Sequence, residues 1–220
     1  GVAFLGLMED LHRRLAAGDT GKALTGASTL ILLVLCLSGL YLRWPRQVGD
    51  WRQWLAVNWA HKGRGFLWQL HAAAGTWALL CYLLAALTGL FWAYDWYRDL
   101  VFELSGAPRP VQQAERKPAG ERPDGPGFDY VQAWAAFRTE VPAYASASLR
   151  IPERPDQPVE WRYLEAGPAH SRAGNTLQLD PSSWAVLKHE RYRELPGGTQ
   201  LVRSLFALHS GSYFGTIGRV

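Results

Sequence analysis

Three histidines in this chain follow a leucine and stand beside an apolar segment: His12, His71 and His209. Imidazole is a common axial ligand of b-type haem, and a low-spin electron-transfer haem needs two such ligands. A histidine at the mouth of a membrane segment suits that role. A single interfacial histidine is more often a hydrogen-bonding residue, however, so the ligand interpretation depends on the surrounding pattern.

The surroundings of two of these histidines repeat. After His12 and after His209 there follow, at the same spacings, a glycine, a second glycine and a basic residue. The matched positions are Gly18 with Gly215, Gly21 with Gly218, and Lys22 with Arg219. Residues 1–22 lead into an apolar run, and we expect residues 206–220 to begin a further transmembrane helix in the same way. The repeat favours a shared ligand role, with packing or interfacial hydrogen bonding as the alternative.

Two apolar runs position these histidines. Residues 23–42 and 69–95 are predicted to be transmembrane helices, because about 20 helical residues span the hydrocarbon core of a bilayer. The first run shows no polar face at the helical period, which argues against a core helix of a soluble protein. Cys36 and Cys81 lie inside the runs and are expected to be small packing residues rather than a disulfide or metal site.

The connector, residues 43–68, fixes the predicted topology. It carries an excess of arginine and lysine, which places it in the cytoplasm. Its tryptophans fit an interfacial belt, and the two flanking spans make a nucleic-acid surface the weaker interpretation. His71 therefore belongs to the inner surface, and His12 and His209 belong to the outer one. A partner for His71 is expected on a helix outside this sequence.

Residues 96–205 are predicted to form a small α+β domain outside the membrane. A linker rich in proline and glycine, residues 107–128, precedes a helix at 128–140 whose apolar face is Val131, Trp134, Ala135 and Phe137. Strands are predicted at 148–151, 159–164, 176–179 and 184–187, with a turn at Asp180. Nucleotide-binding, HExxH and CxxC motifs do not occur here. His170 and His189 are interpreted as surface residues.

Small and basic residues near the three histidines suit a flat, acidic macrocycle. Gly75 and three alanines follow His71, which lets a bulky cofactor approach the helix backbone. Basic residues at the outer surface can pair with haem propionates, namely Arg13, Arg14, Lys22 and Arg219. His61 is an alternative ligand in the connector, although a loop holds a cofactor less rigidly.

The chain resembles the PepSY-associated transmembrane proteins. The resemblance runs along most of the chain and is carried by these segments: Leu11-His-Arg-Arg-Leu with Gly21-Lys22, Ser38-Gly-Leu-Tyr-Leu-Arg-Trp-Pro-Arg46, Leu70-His with Gly75, Thr88-Gly-Leu90, and Leu208-His-Ser-Gly with Gly215 and Gly218-Arg219. One departure lies in the outer domain, where Ser182-Ser183 follows Asp180-Pro in place of the usual Asp-Pro-x-Thr-Gly turn.

The resemblance implies an inner-membrane protein of iron uptake that reduces ferric siderophores in the periplasm. It implies two b haems per full-length chain, with His12 and His209 as ligands of the periplasmic haem and His71 as a ligand of the cytoplasmic one. A quinol or a cytoplasmic flavoprotein would donate the electrons. Apart from the resemblance, several residues of the outer domain could contact a siderophore, although ordinary strand faces are the favoured interpretation of them: Trp161, Arg162, Tyr163, Arg191, Tyr192 and Arg193.

Two other functions remain open from the sequence. The first is a cofactor-free, membrane-anchored PepSY-type module that binds or regulates another protein, in which the histidines are only packing or interfacial residues. The second is a permease component, which ranks last because the two spans lack the charged residues that such pathways use.

Overall fold

The structure is a computed structural model, and it describes residues 2–44, 51–109, 128–150, 152 and 157–215. The chain divides into two compact units, Gly1–Val101 and Phe102–Val220. Pro45, Arg46, residues 110–127 of the predicted linker, Gly218 and Arg219 lie outside the described residues.

The first unit is helical. Its elements are α1 (Val2–Arg14), α2 (Gly18–Arg43), α3 (Trp51–Leu55), α4 (Gly63–Ala93) and the first part of α5 (Asp95–Ser105). Of the described helices, α2 and α4 are long and apolar enough to cross a membrane. Two apolar spanning helices were expected from the sequence, and the structure confirms them. It also places the start of α4 six residues before the expected position, within the basic connector.

Helices α2 and α4 pack side by side, and α1 packs on α2. The pair is antiparallel: Gly26 near the start of α2 lies against the ring of Tyr94 after α4. At the other end, the Arg43 guanidinium donates to the carbonyl of Trp54, at 2.7 Å. Most buried residues of the two helices are small, although Leu90 is also buried, and many of the large apolar side chains point outward.

The second unit contains a four-stranded antiparallel sheet in the order β1-β2-β3-β4. Its strands are β1 (Tyr144–Arg150), β2 (Val159–Glu165), β3 (Asn175–Leu179) and β4 (Val186–Glu190). Helix α6 (Tyr130–Glu140) precedes the sheet and α7 (Gly197–His209) follows it. The expectation of an α+β domain is confirmed.

The core of this domain lies between α6 and one face of the sheet. Phe137 is fully buried and stacks on Trp161 with ring centroids 4.5 Å apart. Alternation along β2 and β3 directs every second side chain inward, as expected for a sheet with one covered face. The predicted helix face is partly wrong, because Val131 is 78% exposed and Ala133 takes the inward position.

Several predicted boundaries also change. Strand β1 begins at Tyr144, and β4 begins at Val186 because Trp184 has a left-handed φ of 59° that a strand cannot accommodate. Residues 206–209, expected to begin a transmembrane helix, form the last turn of α7. The predicted turn at Asp180 is present, where one carboxylate oxygen accepts from the backbone N–H groups of Ser182 and Ser183.

Candidate functional site

His12 lies in the last turn of α1, beside a tight junction with α2. The chain turns through left-handed φ values of 50° at Leu15, 52° at Ala16 and 56° at Gly18. A Cβ at Gly21 would stand 1.6 Å from the carbonyl oxygen of Arg14, so only glycine permits this approach. The His12 imidazole is therefore held on a rigid helical corner.

His209 occupies the matching place in the second unit. It is the last residue of α7, and Gly211 and Gly215 after it have φ values of 70° and 65°. The matched glycines, Gly18 and Gly215, thus both adopt left-handed φ six residues after their histidine. The sequence repeat is matched in part by the local structure: a 13-residue helix ends at or near each histidine, and the first matched glycine after it has a positive φ.

His71 is exposed on α4 at the other end of the α2–α4 pair from His12. That end carries Arg43 and the connector, whereas α1 joins α2 at the end that contacts Tyr94. Helix α2 alone is about 39 Å long at 1.5 Å per residue. The first unit therefore does not bring His12 and His71 together, and they cannot ligate the same metal. His209 belongs to the other unit.

A glycine near each of the three histidines in the sequence borders open space. A Cβ at Gly18, Gly75 or Gly215 would meet no atom within 4 Å. Gly75 is the informative case, because it has neither a left-handed φ nor a close neighbour that would require glycine. It lies one helical turn from His71 on the same face. His71 and Gly75 therefore lie on an open face of α4.

The basic candidates differ in their surroundings. Arg13 forms a 2.9 Å ion pair with Glu9 on the exposed side of α1, and such a pair is weak enough to be exchanged for another anion. Lys22 is half-buried on the first turns of α2. Among the described residues no group of three or more His, Cys, Asp or Glu side chains could hold a metal ion. A haem iron needs only two histidine ligands from the protein, so it does not require a group of three such side chains.

Two cavities are lined by arginine, one in each unit. At the connector end of the first unit, Arg43, Arg52 and Asn58 line a cavity of about 370 Å³. In the second unit a cavity of about 420 Å³ opens on the sheet face opposite α6. Its polar lining consists of Arg162, Arg172, Ser146, Ser148 and Ser171. Among the described residues no carboxylate lines this second cavity, so its chemistry favours an anionic, oxygen-rich ligand.

The candidate siderophore contacts separate into two groups. Trp161, Tyr163 and Tyr192 are buried, which favours the interpretation of these residues as ordinary packing residues over ligand contact. The three arginines are exposed and paired with acids. Arg162 keeps a place in the arginine-lined cavity, although it also contacts Glu160 at 2.8 Å.

Sequence reasoning missed a buried hydrogen-bonded cluster around His170. The His170 Nε2 lies 3.0 Å from the Tyr192 hydroxyl and 3.1 Å from the Ser204 hydroxyl, and those two hydroxyls are 2.7 Å apart. Nδ1 accepts from the backbone N–H of Arg172 at 3.1 Å, which leaves the proton on Nε2. Burial lowers the pKa of His170. Because its partners are 22 and 34 residues away in the sequence, no local sequence pattern predicts this cluster.

His189 is also less exposed than expected. Its Nε2 lies 2.7 Å from the Tyr163 hydroxyl. Burial first, and then the neighbouring Arg191 charge, lower the pKa of His189. Both imidazoles are hydrogen-bonded to tyrosine hydroxyls inside the domain, so neither is positioned to bind a ligand at the surface. Cys36 is buried and Cys81 is exposed, and both are free thiols.

The two units together define a membrane protein with apolar spanning helices and a small α+β domain. The family described as the PepSY-associated TM region matches residues 2–220, and the chain belongs to that family. The chain is also 33% identical over 164 residues to "Uncharacterized protein PA4219" of Pseudomonas aeruginosa. The alignment covers 67% of this chain but 38% of the length of that relative.

Proposed function

We propose that the chain is part of an inner-membrane, di-haem b electron-transfer protein that reduces ferric siderophore iron in the periplasm. The observation that carries the proposal is the repeated helix end at His12 and His209, each followed six residues later by a glycine with positive φ, together with His71 at the opposite end of the α2–α4 pair from His12. Paired outer ligands and a separate inner ligand are what two haems on opposite sides of a membrane require.

The residues have distinct roles in this proposal. His12 and His209 would hold the iron of the outer haem, and His71 would hold the iron of the inner one. Gly18, Gly75 and Gly215 leave room for the macrocycles, and Arg13, Lys22 and Arg219 neutralise the propionates. Haem b, when bound, supplies reversible one-electron redox chemistry between Fe(III) and Fe(II).

The orientation follows from the connector. Basic side chains gather at the His71 end of the α2–α4 pair, on Arg43, Arg52, Lys62 and Arg64. Because such an excess marks the cytoplasmic side, His71 faces the electron donor and the second unit faces the periplasm. The donor is a quinol or a cytoplasmic flavoprotein. Each gives two electrons, so that one donor molecule reduces two ferric ions.

The arginine-lined cavity of the second unit is the proposed docking region for the ferric chelate. Its two guanidinium groups and three hydroxyls favour an anionic ligand whose oxygen atoms coordinate Fe(III). Hard oxygen donors hold Fe(III) tightly and Fe(II) much less tightly. A single electron therefore releases the metal and leaves the chelator intact.

An optical spectrum of the full-length, detergent-purified protein tests the proposal. The oxidised and dithionite-reduced spectra should show bis-histidine haem b, at about two haems per chain by pyridine haemochrome. His12→Ala and His209→Ala should each remove the same haem, and His71→Ala the other. His61→Ala tests the alternative ligand in the connector, and on this proposal the variant should keep both haems.

Two outcomes would contradict the proposal. A colourless protein from cells supplied with haem would favour the cofactor-free, membrane-anchored module instead. Loss of different haems in His12→Ala and His209→Ala would keep a haem protein but overturn the pairing of these two ligands.

A further inference from the structure

Helix α5 carries two different rows of exposed side chains. Residues four apart lie along one line of a helix. One row is apolar and consists of Trp96, Leu100 and Leu104, which are 58%, 40% and 78% exposed. The adjacent row is acidic and consists of Asp95, Asp99 and Glu103. The exposed side of α5 is thus itself divided into an apolar edge and an acidic edge.

The packed side of α5 in the second unit lies away from the apolar row. Phe102 is buried, and a Cβ at Gly198 would stand 1.7 Å from the carbonyl oxygen of Ser105, so these two backbones touch. At about 100° per residue, Phe102 and Ser105 lie on roughly the opposite side of the helix from Leu100 and Leu104. In the first unit, Tyr94 just before α5 packs against Gly26 of α2.

The position of α5 along the chain identifies what meets this row. Helix α4 carries no charged side chain from Gly65 onward, and the first one after it is Asp95. Between α4 and α5 only Tyr94 is non-helical, with an extended φ of −128° and ψ of 127°. Trp96 therefore lies within a few residues of the end of the span, in the region where tryptophan prefers the membrane–water interface.

We propose that α5 is an interfacial helix whose apolar row inserts into the boundary between lipid headgroups and acyl chains. Amphipathic helices at the end of a span bind the bilayer through buried apolar area, usually with help from basic residues. Here the neighbouring row is acidic and stays toward water. Binding therefore depends on apolar contact and on the tether to α4, and does not need anionic lipid. This inference is independent of whether the protein holds haem.

Site-directed spin labelling of the full-length protein in phosphatidylcholine nanodiscs tests the inference. A background with Cys36→Ala and Cys81→Ala receives Leu104→Cys or, as the matched control on the acidic row, Glu103→Cys. Both positions are exposed, so neither change should disturb folding. Power saturation then compares relaxation by oxygen, which partitions into lipid, with relaxation by a nickel chelate, which stays in water.

The label at 104 should be relaxed more by oxygen than by nickel, and the label at 103 more by nickel. Exchanging part of the phosphatidylcholine for phosphatidylglycerol should leave this difference unchanged. If nickel dominates at 104, the row faces water and the inference is wrong. Shielding of position 104 from both reagents would also overturn it, because a protein segment or a second copy would then cover the row.

Discussion

The two units of this chain place their large side chains in opposite ways. On α2 and α4 many bulky apolar residues point outward, with Val34 64% and Leu80 76% exposed, while most buried residues are small, such as Ala73 and Ala86, and Leu90 is a large buried exception. In the second unit Phe137 and Leu177 are fully buried. The same residue types thus mark the surface of one unit and the core of the other, because one unit is solvated by lipid and the other by water.

The difference implies different sources of stability. Lipid tails are as apolar as leucine, so the helices of the first unit gain little from hiding large side chains and depend on close backbone approach. The second unit gains from removing apolar area from water. Truncating a large side chain should therefore harm the second unit, and adding a methyl group should harm the first.

Truncation in the α6–sheet core should have the largest effect. Phe137→Ala removes a fully buried ring stacked on Trp161 and should cost about 3–5 kcal/mol in the free energy of unfolding of the second unit. Amide hydrogen exchange of β2 and β3 in the full chain should accelerate roughly a hundredfold or more. Leu80→Ala on the outer side of α4 is the matched control. Equal losses of protection in both variants would contradict the inference that large apolar side chains stabilise the second unit more than the first.

The limits of prediction from sequence follow the same division. Strands β2 and β3 were placed within a residue or two, because one face of each is buried and alternates clearly. Helix α7 was missed, since it begins at Gly197-Gly198, a pair that the sequence presents as a turn signal. Local propensity is overridden there by the contact of Gly198 with Ser105. The separation of His12 from His71 was predictable, because it follows from the two spans alone.

Adding a single methyl group should disturb the first unit. Gly21→Ala drives a Cβ into the carbonyl oxygen of Arg14 and should cost about 1–3 kcal/mol by forcing α1 away from α2. Hydrogen exchange of the last turn of α1 reports this displacement. Gly39→Ala is the matched control in the same helix, because a Cβ there meets nothing within 4 Å. Unchanged α1 protection in Gly21→Ala would show that the corner is not a rigid support for His12.

The second unit also contains a buried polar cluster around His170, which should make the stability of this unit depend on pH. Burial lowers the pKa of His170 below its ordinary value of 6.5, so the unfolded chain binds the proton more readily than the folded one. Stability of the second unit should be fully present above pH 6.5 and should fall as the pH drops toward the lowered pKa. His170→Gln retains a donor for Ser204 and should lower the free energy of unfolding of the second unit by about 1 kcal/mol at pH 8. The decrease should be smaller at acid pH.

Hydrogen exchange of α7, measured in the full chain between pH 5 and 8 and corrected for intrinsic rates, should therefore show a weaker dependence on pH in His170→Gln. His189→Gln is the control, since His189 also has a lowered pKa but bonds to Tyr163 on β2 rather than to α7. If both variants flatten the profile of α7 equally, the acid sensitivity belongs to the domain as a whole. A selective effect of His170 would show that a buried neutral imidazole stabilises α7. The polar cluster of the second unit would then support the helix that ends in His209.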